Sequence, residues 1–241
     1  MATTTETKTH EELKALSNKE RPDADAKNKK LLWCPFAEIY PKRMPTRGKY
    51  PQKYPQGAVV HYTAGRDGTG PIEQGIANGF CYFVITKDGT IHQSFPLDEW
   101  GFHAGKSTFR GLGDGVSDNL VGIEVCCAGV VEPVKGTAKF KQWYEVNPEK
   151  HLNSAQVRTV PKTSKYPAPG TYERFTEAQE AALKKLLVWL HQNNPAVFSL
   201  DLVLGHDEVC VPAGRKTDPG GAISTPMPEL RKLLKGLAGV K

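Results

Sequence analysis

The chain contains no run of about 18 consecutive apolar residues, so no membrane-spanning helix is expected. Its first residues, MATTTETKTHEELKALSNKERPD, lack a basic start followed by an apolar stretch and do not read as a secretory signal. Synthesis in the cytoplasm is therefore the expectation. No internal repeat and no low-complexity tract is present. No recognised nucleic-acid motif occurs, so nucleic acid is not an expected partner. Cysteine is sparse: Cys34, Cys81, Cys126, Cys127 and Cys210, an odd number at irregular spacing without a CxxC. That pattern argues against a disulfide framework, and Cys126 and Cys127, adjacent in an apolar run, read as buried free thiols made in a reducing compartment.

What is present suits one main domain with extensions. The 241 residues are 39% hydrophobic, enough for a sizeable core. The formal net charge of +6 favours anionic partners: nucleic acid, anionic lipid, or a bacterial wall rich in carboxylates and phosphates. Charge alone does not choose among them.

Residues 1–30 are polar, with 7 Lys/Arg against 6 Asp/Glu, and read as an arm with a short helix over His10–Leu16. Pro41–Pro55 reads as an extended loop wrapping the domain, which places arm and loop in residues 1–50 and the main domain in 51–241. Within that domain strands are expected over Ala58–Tyr62, Phe80–Thr86, Thr90–Phe95, Leu120–Cys127 and Leu200–Leu204, with Lys87-Asp88-Gly89 as a hairpin turn. Helices are expected over Pro71–Asn78, over Thr176–Asn193 with a Thr176/Gln179 capping box, and from Pro228 onward. This mixture predicts an α/β fold with a single central mixed β-sheet flanked by helices. Residues 129–172 are polar and Pro-rich, carry Trp143 and Tyr144, and read as a long insertion.

Two histidines end apolar runs: His61 after Val59-Val60 and His206 after Leu204-Gly205. Alone, each is more often a core or turn histidine than a ligand. Asp218 lies twelve residues beyond His206. Two histidines and a carboxylate with one open position make a catalytic zinc site, and strand ends are where such ligands belong. Glu124 interrupts Leu120–Cys127; a carboxylate there is costly unless it is paired, sits by a metal, or faces water from an edge strand. Lys216 beside a metal would bring positive charge to a developing oxyanion.

Five segments carry a resemblance: VVHYTAG (59–65), GFCYFVITKDGTIHQ (79–93), WGFHAG (100–105), SDNLVGIEV (117–125) and LGHDEVCVPAGRKTDPG (204–220). In this order and spacing they resemble the type 2 N-acetylmuramoyl-L-alanine amidases, whose fold is shared by peptidoglycan recognition proteins and amidase-type phage lysozymes. The resemblance implies that His61, His206 and Asp218 are zinc ligands, that Glu124 is the general base, and that Lys216 stabilises the transition state. It places Trp100, His103 and Asn119 along the glycan and peptide groove. Some members have a catalytic Tyr where Cys81 aligns, beside Tyr82, and some use Cys as third ligand, which leaves Cys210 as a second candidate.

The implied reaction is hydrolysis of the amide between the lactyl group of N-acetylmuramic acid and L-alanine of peptidoglycan, with Zn2+ as cofactor. A bacteriolytic phage endolysin, released to the wall at lysis, is the preferred reading. A cytoplasmic enzyme recycling soluble anhydro-muropeptides and a non-catalytic peptidoglycan receptor are the alternatives. A monomer is expected. Leu230, Leu233, Leu234 and Leu237 fall on one face of the last helix, with Arg231, Lys232 and Lys235 on the rest. That helix either docks on the sheet or engages an anionic membrane surface.

Overall fold

The computed structural model describes residues 31–163 and 165–240; the helix expected over His10–Leu16 lies outside them. In chain order the elements are β1 (Glu38–Ile39), β2 (Gly48–Lys49), β3 (Gly57–Tyr62), α1 (Gly70–Asn78), β4 (Phe83–Ile85), β5 (Ile91–Gln93), β6 (Glu99–Trp100) and β7 (Leu120–Val125). There follow β8 (Glu132–Pro133), β9 (Phe140–Lys141), β10 (Val157–Val160), β11 (Gly170–Glu173), α2 (Glu177–Asn193), β12 (Val203–Gly205), α3 (His206–Val209) and α4 (Met227–Ala238).

The expected central sheet is six-stranded, in the order β1-β5-β4-β7-β3-β12. It is mixed: β4, β7, β3 and β12 run parallel, while β5 is antiparallel to β4 and parallel to β1. Sheets with parallel strands bind ligands beyond the carboxyl ends of those strands.

Strand periodicity divides the side chains between two layers. Ala58, Val60, Val121, Ile123, Val125 and Val203 join one large core with Leu183, Leu186, Leu187 and Leu190 of α2 and Leu230 and Leu234 of α4. The alternate residues Val59, Leu120 and Leu204 join a smaller core with Ala104, Val116 and Val209. The same alternation puts His61 and Glu124 in register with that second face. Each fully buried Leu contributes roughly 1.5–3 kcal/mol, so the leucines of α2 anchor the helix layer. The Thr176/Gln179 capping box forms, and Gln179 Nε2 also donates to the carbonyl of Cys126, 2.8 Å away.

Several boundaries differ from expectation. Leu200–Leu202 is a 3-10 turn that leads into β12. Residues 31–50 are more than a wrapping loop: β1 is an edge of the main sheet, and Cys34, Met44 and Tyr50 are buried. The insertion is folded. Its β10 and β11 form a hairpin, and β8 and β9 a second small pair. Tyr172 of β11 is fully buried against the turn after Asp218, where a Cβ on Gly220 would lie 2.7 Å from the Tyr172 ring.

Candidate metal centre

At the carboxyl end of the sheet, His61, the last residue but one of β3, lies opposite Glu124 of β7, and β12 delivers His206 one residue past its end. Asp218 arrives from the loop after α3, whose path is fixed by a hydrogen bond from Asp207 N to Asp218 O at 2.8 Å. All three candidate ligands are buried. His61 Nδ1 lies 3.0 Å from His206 Nδ1 and 2.9 Å from Asp218 Oδ2, and His206 Nδ1 lies 2.8 Å from the same oxygen.

The outer nitrogens decide what meets at this point. His206 Nε2 is 2.8 Å from the carbonyl oxygen of Ala104. A carbonyl only accepts, so Nε2 carries a proton, which in a neutral ring leaves Nδ1 with a lone pair. His61 Nε2 is likewise occupied, 3.1 Å from His103 Nδ1. Burial, reinforced by His206, pushes His61 down to about 4 against the opposing pull of Asp218, so the ring is neutral. Burial also disfavours the Asp218 carboxylate, but the imidazoles of His206 and His61 beside it outweigh burial and hold the group below the usual carboxylate range. Two imidazole lone pairs and a carboxylate oxygen converging in a buried pocket form the donor set of a divalent transition-metal site.

A cavity of about 410 Å³ opens over these atoms. Glu124, Lys216, Arg215, Tyr82 and Phe80 also line it. β7 lies between β3 and β4, so Glu124 does not sit on an edge strand. Its Oε2 is buried without a hydrogen-bond partner among the described residues. Burial pushes the Glu124 carboxyl up to about 8; Asp218 adds to the rise and Lys216 opposes it. The loop carrying Lys216 and Asp218 is held at its centre by a hydrogen bond between Thr217 Oγ1 and the Tyr62 hydroxyl.

The groove residues expected from sequence separate. His103 lines the cavity, but both its ring nitrogens are engaged, Nδ1 with His61 and Nε2 with Leu120 O at 2.9 Å. Trp100 does not reach the cavity; β6 pairs with β2, and the indole meets Phe102 edge-on at 5.5 Å. Asn119 also lies away from the cavity. It precedes β7 at the amino end of the sheet, five residues or roughly 16 Å along the strand from Glu124. There its amide donates to Gly115 O and accepts from Gln56 Nε2, a structural role. Cys210 is not part of the three-residue cluster; its thiol faces the carbonyl of Asp207. Of the Cys81/Tyr82 pair, Tyr82 lines the cavity with its hydroxyl donated to Pro71 O, while Cys81 packs at Gly101.

Arg215 and the exposed Phe80 are cavity residues that the motif reading passed over. Arg215 stands beside Lys216 in a matched segment, and that adjacency was the available signal. The insertion also reaches the rim. Trp143, 70% exposed, donates its indole N–H to Ala64 O at 2.7 Å, and Ala64 lines the cavity.

The sequence model of the N-acetylmuramoyl-L-alanine amidase family matches residues 51–221. The chain belongs to that family. This amidase is also similar to solved structures. A selenomethionine derivative of AmpD is 23% identical, with 84% of this chain and 96% of that one covered at a TM-score of 0.52. The endolysin amidase LysCS from Clostridium intestinale URNW is 17% identical, covering 87% and 99% at 0.46. AmiD from E. coli, solved with anhydro-N-acetylmuramic acid-L-Ala-D-gamma-Glu-L-Lys, is 20% identical, covering 78% and 59% at 0.47. No curated protein matches the sequence. As a member of its family the chain is an amide hydrolase of peptidoglycan.

Proposed function

We propose that this amidase is zinc-dependent and acts as a bacteriolytic endolysin, cutting the bond between the lactyl group of N-acetylmuramic acid and L-alanine in polymeric wall. One observation carries the metal: His61, His206 and Asp218 turn lone pairs toward one point while each histidine's other nitrogen is already hydrogen-bonded. Zinc held by these three residues supplies Lewis acidity, which lowers the pKa of water toward ~7 and polarises an amide carbonyl. Glu124, with an unsatisfied oxygen in the cavity, accepts the proton of the attacking water and delivers it to the alanine nitrogen. Lys216 brings positive charge to the oxyanion.

The endolysin reading is supported by the net charge of +6, which suits an anionic wall, and by the folded insertion with its exposed Trp143 at the cavity rim. In this reading the protein is a monomer, made in the cytoplasm and acting on the wall after release. Contact with an anionic membrane surface through α4 belongs to the same reading, because Leu233 and Leu237 stay exposed beside Lys232. The test is digestion of intact sacculi and of soluble anhydro-muropeptides, with and without chelator, read by mass spectrometry. Stem peptides released from sacculi, lost on chelation and restored by zinc, are expected. Turnover of soluble anhydro-muropeptides with sacculi left intact would replace endolysin by recycling enzyme.

A further inference from the structure

The segment His103-Ala104 touches both histidines of the candidate metal centre from behind. Its position is built from three sides. Ser117 Oγ accepts from His103 N at 3.3 Å and from Ala104 N at 3.1 Å, which staples two consecutive amides. The His103 ring packs on β7 at Gly122, where a Cβ would come within 2.7 Å of His103 Cγ. Any side chain at that strand position would evict the ring. The carbonyl of Leu120, 2.9 Å from His103 Nε2, closes the third side.

These contacts fix protons as well as positions. Leu120 O only accepts, so His103 Nε2 must donate, and Nδ1 of the neutral ring can then only accept. Its partner at 3.1 Å is His61 Nε2, which must therefore be the donor. His61 is left with a bare Nδ1, the atom that faces His206 and Asp218. The next residue does the same for the second histidine, because Ala104 O accepts from His206 Nε2 at 2.8 Å. One dipeptide thus sets the tautomer of both rings, one through a side chain and one through the backbone.

We propose that His103 is a positioning residue for the metal centre, relaying a hydrogen bond from the backbone of β7 to His61, rather than a residue that holds substrate. The inference rests on the zinc reading above. Partners of this kind, when removed, typically cost about 10–100-fold in metal affinity or activity.

The experiment compares full-length wild type with His103→Phe and His103→Gln. Phe keeps a ring over Gly122 but has no acceptor for His61. Gln has an oxygen that can accept from His61 and an amide that can donate to Leu120. Zinc affinity is measured by competition with a chromophoric chelator, KM on a soluble muramoyl-peptide at saturating zinc, and melting temperature on metal-free protein. Expected are affinity lower by about 10–100-fold in His103→Phe, partial recovery in His103→Gln, and unchanged KM. The metal-free melting temperatures of the two variants should agree. Wild-type zinc affinity with a raised KM would return His103 to the substrate groove and overturn the proposal. A wild type that takes up no zinc would overturn both the proposal and the reading beneath it. A measurement needing no variant is 15N NMR of histidine-labelled, metal-free wild type. The relay requires the Nε2–H tautomer at both His61 and His103, and an Nδ1–H tautomer at His61 would overturn it.

Discussion

At the scale of single residues, the proposed function divides groups that would hold metal from groups that would do chemistry, and substitutions should divide them too. Glu124→Ala is expected to retain zinc and fold but lose roughly 10²–10⁴-fold in turnover, the usual range for a general base. Lys216→Ala should lose on the order of 10²–10³-fold for the same zinc content, as for a missing oxyanion partner. Parallel metal analysis and kinetics check both; near-normal turnover in Glu124→Ala would move the base elsewhere, with Tyr82 the cavity residue to examine first. Asp218→Ala should release zinc while Cys210→Ser keeps it, since only Asp218 shares the cluster with both histidines. Much of this was legible. Glu124 announced itself as a charge in an apolar run, and His61 and His206 as polar ends of buried strands. For Asn119, a motif gives order along the chain, not the end of the strand on which the residue falls. For His103, spacing shows that a ring is near the site but not which nitrogen has a partner.

Among the elements, α4 shows how far periodicity carries. Its four leucines were expected to share one fate, and they divide: Leu230 and Leu234 are buried, while Leu233 and Leu237 are exposed. They line an open apolar groove with Val188 and Trp189 of α2. A sequence reveals a stripe but not how much of it a neighbouring helix covers. The basic residues divide as well. Arg231 grips both oxygens of Glu208, at 2.9 and 3.0 Å, and Lys235 pairs with Asp201 at 2.7 Å. Glu208 in turn accepts from Gly205 N, directly before His206. Arg231→Glu would set two carboxylates against each other there, and a loss of about 1–3 kcal/mol of stability in denaturant titration is expected. The fair probe of membrane contact is therefore Lys232→Glu combined with Leu233→Ser and Leu237→Ser. Weaker binding to anionic vesicles with unchanged hydrolysis of isolated sacculi is the expected outcome. A wild type that ignores such vesicles at low salt ends the lipid idea.

For the molecule as a whole, Cys126 and Cys127, read from sequence as buried thiols, are buried, and so are Cys34, Cys81 and Cys210. Burial is the main reason Cys126 is pushed up to about 12, and it raises Cys81 and Cys127 further. Native protein should thus react slowly with a thiol-specific chromogen and denatured protein rapidly; fast reaction of several thiols before unfolding would contradict this packing. The sheet and its helices were legible because their patterns are strong. The insertion was not, because its hairpin is made of polar and Pro-flanked residues whose partner is the distant turn at Gly220 and Gly221, contacted by Tyr172 and Arg158. The sheet order has one more consequence, and it concerns time. β12 pairs with β3, and both His206 and Asp218 come after nearly all the rest of the sheet has been translated. While the chain is still emerging from the ribosome, His61 and Glu124 can be made and even paired with no metal pocket between them. If His61, His206 and Asp218 hold the proposed zinc, the enzyme's first active moment follows translation of Asp218.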